Sequence, residues 1–228
     1  MIMESNIWQI VLLSLRVAGI AIIIALPLAF LVGWLLARFH FLGKSLVQAI
    51  VTMPLVLPPV VTGYLLLILF GARGPLGAPL QEWLGLSFAF RWTGAALAAG
   101  VMAFPLLVRP IRLSIEGLDR GLEEAARTLG ASRFTAFFTV ILPPLLPGIL
   151  AGAALGFAKA LGEFGATITF VSNIPGETQT LSLAIYTLLQ TPSGDAEAFR
   201  LIAVSATISI AAVVLSEWLQ RRLAGGVK

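Results

Sequence analysis

A run of apolar residues from Ile7 to Ala37, interrupted by a single charge at Arg16 and by Pro27, constrains this chain more than any other feature of its sequence. About 20 consecutive apolar helical residues cross a hydrocarbon core about 30 Å thick, so this run is long enough to span with tilt. Four further stretches have the same character: Leu46 to Gly71, Trp92 to Leu113, roughly Pro144 to Val171, and Leu201 to Leu219. Only 11% of the residues are charged against 58% hydrophobic, a balance far from that of a water-soluble domain. The expectation is an all-α membrane protein of five transmembrane helices forming one domain over residues 1–228.

Pro54, Pro58 and Pro59 should bend or break the second span, because proline removes a backbone donor that neighbouring groups must then offset. Residues 71–91 read as a Gly/Pro-rich loop, with Trp83 and Trp92 as boundary aromatics. The loop at about 172–198 is polar and acidic. Its apolar patch Leu181 to Leu189 is too short to cross and is expected to be a lateral or re-entrant helix. Orientation follows from lysine and arginine, which are enriched in short cytoplasmic loops. One side carries ten: Arg38, Lys44, Arg109, Arg112, Arg120, Arg127, Arg133, Arg221, Arg222 and Lys228; the other carries Arg73 and Arg91. The N-terminus is therefore expected outside and the C-terminus inside, in keeping with an odd number of spans. No separate signal peptide is expected, since no basic segment precedes the first apolar run.

Several function classes fall away. With no cysteine and one histidine, His40, thiolate chemistry and a histidine-rich metal site are excluded, and no metal or cofactor is expected. The net charge of +4 is scattered between apolar spans with no basic helix or RNA-binding aromatic pattern, so nucleic acid is not a partner. An intramembrane hydrolase would need a Ser/His pair or two facing aspartates. Here His40 is in a loop, and Asp119 and Asp195 fall on opposite sides. Gly43-Lys44-Ser45 imitates the end of a phosphate-binding loop, but Arg38 stands where its first glycine belongs and no strand precedes it. The chain is not expected to hydrolyse ATP itself.

The polar stretch 114–143 carries the densest pattern. Leu118, Leu122, Ala125 and Leu129 share one helical face, Asp119 is suited to cap, Glu123 and Glu124 suit the positive end of the dipole, Gly130 should stop the helix, and Ser132 can cap a second one. The residues Glu124-Ala125-Ala126, then Gly130, then Val140-x-Leu142-Pro143 resemble the EAA loop of bacterial ABC importer permeases, with Val140 in place of the usual isoleucine. The likeness extends to Pro54-Leu-Val-Leu-Pro-Pro-Val-Val-Thr-Gly-Tyr64 and to Leu161-Gly-Glu-Phe-Gly through Asn173-Ile-Pro-Gly-Glu177, which are similar to ModB-type molybdate permeases. Sulfate permeases share the Gly162–Gly165 piece.

That resemblance implies a type I importer permease in the bacterial inner membrane, translocating molybdate, with sulfate or tungstate as the alternative substrates. Some molybdate permeases carry an additional N-terminal span, and this chain begins too late for one, so five spans rather than six are expected. The energy would come from two copies of a separate ATPase subunit, with a second copy of this chain and a periplasmic molybdate-binding protein completing the complex. By the same resemblance Glu124, Ala125, Ala126 and Gly130 form the ATPase contact of a cytoplasmic coupling helix, and Leu142 and Pro143 start the next span.

Two features remain open. Gly148, Gly152, Gly156 and Ala160 recur every four residues and permit close helix approach, either between two copies or within one chain. Lys159 and Glu163 share a helix face inside a span: either they neutralise one another, or the lysine offers a passing oxyanion a transient attraction. The same two charges could serve an ion-coupled secondary transporter, the main rival class, though no inverted repeat is visible.

Overall fold

The computed structural model describes residues 2–119, 121–192 and 194–225, with side chains at 2–6, 123 and 223–225 set aside. Arg120 and Lys228, two of the ten basic residues counted above, and the side chain of Glu123 lie outside that description. Helices α1 (Ile2–Arg38), α2 (Lys44–Val56), α3 (Pro59–Phe70), α4 (Gly77–Leu84) and α5 (Trp92–Glu116) make the first half. The second half holds α6 (Gly121–Thr128), α7 (Arg133–Ala136), a π-helical turn (Phe137–Ile141), α8 (Leu142–Leu161), α9 (Gly165–Val171), α10 (Leu181–Leu189) and α11 (Asp195–Gly225). Four helical segments are long and apolar enough to cross a membrane, and α2 with α3 makes a fifth if that bent pair counts as one span.

Helix α5 is the centre of the molecule, packed most extensively on α1 and α8. Ala18, Ala21, Ala25, Ala29 and Leu36 form a buried stripe along α1 that meets Ala95, Ala99, Ala103 and Ile111 on α5. Such small side chains let backbones approach, which matters where lipid removes most of the hydrophobic drive for helices to associate. From Trp92 to Arg112, α5 rises about 30 Å, one hydrocarbon core. Trp92 and Arg112 are thus one hydrocarbon thickness apart. On the Arg112 side the guanidinium donates to Glu116 at 2.7 Å and to Gln48 of α2.

The second span breaks where the prolines predict. Leu57 is extended (ψ 144°), as a residue before proline prefers, Pro58 occupies the N-cap of α3 and Pro59 its first turn. The chain turns by 116° there. The fourth span ends earlier than expected: α8 stops at Leu161, and Gly165–Val171 is a separate helix. Residues 77–84, read as loop, form α4, whereas Leu181–Leu189 is the short helix anticipated. Ser14 of α1 accepts the Leu181 amide at 2.7 Å, satisfying a buried donor at the start of α10.

Candidate functional site: the exposed arm and the crossing of two broken helices

Two regions gather the residues singled out by sequence. The first is an arm projecting on the Arg112 side. Asp119 Oδ1 accepts the Gly121 amide at 2.8 Å, opening α6. The helix ends at Gly130, whose φ of +89° is a left-handed conformation that glycine adopts without steric cost. The Ser132 hydroxyl then caps α7 by accepting from the Thr135 amide at 3.1 Å. Glu124 and Ala125 are exposed and Ala126 half-buried, while Leu122 and Leu129 of the apolar face are 43% and 89% exposed. The helix touches the π turn and α7, but among the described residues Leu122 and Leu129 remain uncovered.

The arm joins its span without a loop. Helix α7 runs through the π turn into α8, which begins at Leu142 and Pro143. Phe137 in the π turn packs edge-on against Phe30 and Trp34 of α1, at ring separations of 6.1 Å each, and Phe138 lies 5.1 Å from Phe137. An aromatic cluster therefore ties the base of the arm to α1. Sequence reading missed it, since nothing but aromatic content distinguishes 137–141 from ordinary helix.

The second region is the crossing of α3 with α9, and it brings together two sequence segments more than 100 residues apart. A side chain at Gly63 would strike the backbone of Ala166, and one at Gly165 would strike Pro59. Glycine at these two positions is what allows the contact. Glu163 sits at the break between α8 and α9, almost fully buried. Its Oε1 accepts the Ala166 amide at 3.0 Å, and its Oε2 accepts from Lys159 Nζ at 2.6 Å. The lysine side chain is 32% exposed and the glutamate 1%. Glu163 is thus not inside a continuous helix, contrary to the sequence expectation. Phe164 stacks 4.7 Å from Tyr186, and Ser182 donates to the Leu161 carbonyl at 3.3 Å, so α10 closes over the break.

The small-residue stripe on α8 faces inward. Gly148 lies against Ser114 and Pro110, Gly152 against the Leu107 backbone, and Gly156 against Leu107 and Ile22. Among the described residues no cluster of acidic or histidine side chains has metal-ligand geometry.

Comparison with known proteins places these features. A family model described as "binding-protein-dependent transport system inner membrane component" matches residues 8–225. The chain is 55% identical to the molybdenum transport system permease protein ModB of Escherichia coli (strain K12), over 97% of this chain and 96% of that one. It is 36% identical to the sulfate transport system permease protein CysT of the same organism, over 86% of this chain and 71% of that one. A crystal structure of a bacterial ABC transporter that imports alginate superposes with a TM-score of 0.72 at 19% identity, covering 95% of this chain and 79% of that one. A multi-pass helical membrane protein carrying these matches belongs to the binding-protein-dependent transport system inner membrane components, the permeases of type I ABC importers.

Proposed function

We propose that the chain is the membrane-spanning permease of an ATP-driven molybdate importer, working as a homodimer with two ATPase subunits and a periplasmic molybdate-binding protein. The observation that carries this reading is identity of 55% sustained over 97% of the chain with a molybdenum permease, against 36% over 86% with a sulfate permease. In this reading the N-terminus is periplasmic and the C-terminus cytoplasmic, from the asymmetry of basic residues, ten on one side against Arg73, Arg91 and Arg200 on the other.

The exposed arm is the ATPase contact. Helix α6 offers Glu124, Ala125 and Ala126 with bare Leu122 and Leu129, a surface suited to lie in a groove of a partner. Gly130 fixes the angle to α7. Because α7 and the π turn run without a loop into α8 at Leu142 and Pro143, closure of the ATPases would pull on α8 directly and open the pathway outward. Hydrolysis would then release the anion inward. Lys159 and Glu163 are proposed as a neutralised pair that holds the α8/α9 break, with the glutamate's second oxygen engaged as a helix cap.

Uptake of radioactive molybdate tests the reading. A strain deleted for its own molybdate permease, expressing this chain with its ATPase and binding protein, should regain uptake that excess sulfate leaves intact. Uptake abolished by sulfate would assign a sulfate permease instead. Absence of uptake from inserted protein with both partners present would overturn the importer reading.

A further inference from the structure

A long apolar groove runs along the seam between α1 and α5, about 640 Å³ in volume and open to one side. Its origin lies in the broken second span. Helix α2 covers the seam from the Arg112 side, with Ile50 and Pro54 at the groove's inner end. At Leu57 and Pro58 the chain turns away by 116° to meet α9, leaving the Trp92 half of the seam without α2 and flanked by Leu86 and Phe88 of the loop before α5.

The groove has one charged end. Ile20, Ile24 and Leu28 follow Arg16 along α1 at steps of four, and all three line it. The Arg16 guanidinium stacks on the ring of Trp92, 3.8 Å from its centroid, and Trp92 is itself a wall of the groove. No carboxylate among the described residues pairs with Arg16, and the side chain is exposed. An arginine beside a boundary tryptophan, with no ion pair among the described residues, is suited to an anion at headgroup depth.

We propose that this groove holds one acyl chain of a phospholipid in the leaflet on the Trp92 side, with the lipid phosphate on Arg16. The length favours this occupant over a helix of a second copy. Along α5 the groove runs from Trp92 to Phe104, about 18 Å, and a leaflet contributes about half of a 30 Å core. A spanning helix would need a groove through both leaflets, whereas this one is closed by α2 halfway. A cation with no carboxylate partner among the described residues, set above an apolar channel one leaflet deep, matches the shape and charge of a phospholipid.

Native mass spectrometry of the full chain, released from detergent with added dioleoyl phosphatidylglycerol, tests the assignment. Wild type should retain one lipid more firmly than it retains dihexanoyl phosphatidylglycerol, which has the same headgroup and chains too short to fill the groove. Arg16→Gln should weaken retention of the dioleoyl lipid about tenfold or more, the worth of a charge-assisted hydrogen bond. Ile24→Trp, which fills the groove from its rim, should abolish retention with Arg16 intact. Equal retention of the long and short lipids by wild type would overturn the acyl-chain assignment, and it needs no variant to fold. Loss of the dimer mass in Ile24→Trp with lipid retention unchanged would give the groove to a second copy instead.

Discussion

Glu163 illustrates how much one side chain can be committed to. Both carboxylate oxygens are engaged, one by Lys159 and one by the Ala166 amide, and neither reaches water. Lys159 is partly exposed, so the two members of the pair do not suffer equally when parted. Lys159→Met leaves a buried carboxylate without its cation, which costs about 3–5 kcal/mol for pairs of this kind. Glu163→Gln keeps an acceptor for the Ala166 amide and leaves a lysine with some access to solvent. We expect Lys159→Met to lower the thermal midpoint of the detergent-solubilised protein well below that of Glu163→Gln, and the double variant to recover most of the loss. Equal destabilisation by the two single substitutions would show that the asymmetric burial has no energetic consequence. Double-variant protein that is stable yet fails to transport would return Lys159 to the anion pathway.

At the scale of elements the arm is the part most open to test. Gly130 holds φ at +89°, where residues with a Cβ are destabilised by about 1–2 kcal/mol and β-branched ones by more. Gly130→Val should insert normally but lose at least tenfold in molybdate uptake per inserted molecule, while Gly130→Asn, which tolerates the left-handed region, should keep most of it. Full uptake by the valine variant would reduce α6 to an ordinary surface helix. These elements also show what sequence could and could not reveal. The break at Leu57–Pro58 was legible because proline acts locally on its neighbour. The break at Gly162–Phe164 was not, since Leu161-Gly-Glu-Phe-Gly contains no proline and glycine is common in membrane helices. Glu163 caps the next helix by accepting the Ala166 amide three residues on, and Ser182 and Tyr186 of α10 close over the break, a tertiary contact without a local signature. The stripe from Gly148 to Gly156 was legible as a close-approach surface, but its partner, α5, was not, because spacing alone does not say which helix arrives. The arm was legible almost residue by residue, from Asp119 to Ser132, because capping and positive φ are local demands.

For the whole molecule the first question is which way it faces. The chain has no cysteine, so single cysteines introduced for labelling meet no background. Thr191→Cys, in the exposed turn after α10, should react with an impermeant thiol reagent added to intact cells, and Thr128→Cys, at the end of α6, should react only after the membrane is opened. The opposite pattern would invert the orientation and take the arm away from any cytoplasmic ATPase. The central place of α5 has a different kind of consequence. Its small buried residues are enclosed by other helices on several sides, while α11 is the least covered of the spans within this chain. The same apolar letter therefore carries different information in the two helices. In α5 an alanine such as Ala99 or Ala103 specifies a shape, and a larger residue there has nowhere to go. Along the bare face of α11, residues such as Ile210 and Val214 meet no close-packed neighbour within one copy, so inside a single chain they are held to apolarity and not to a shape.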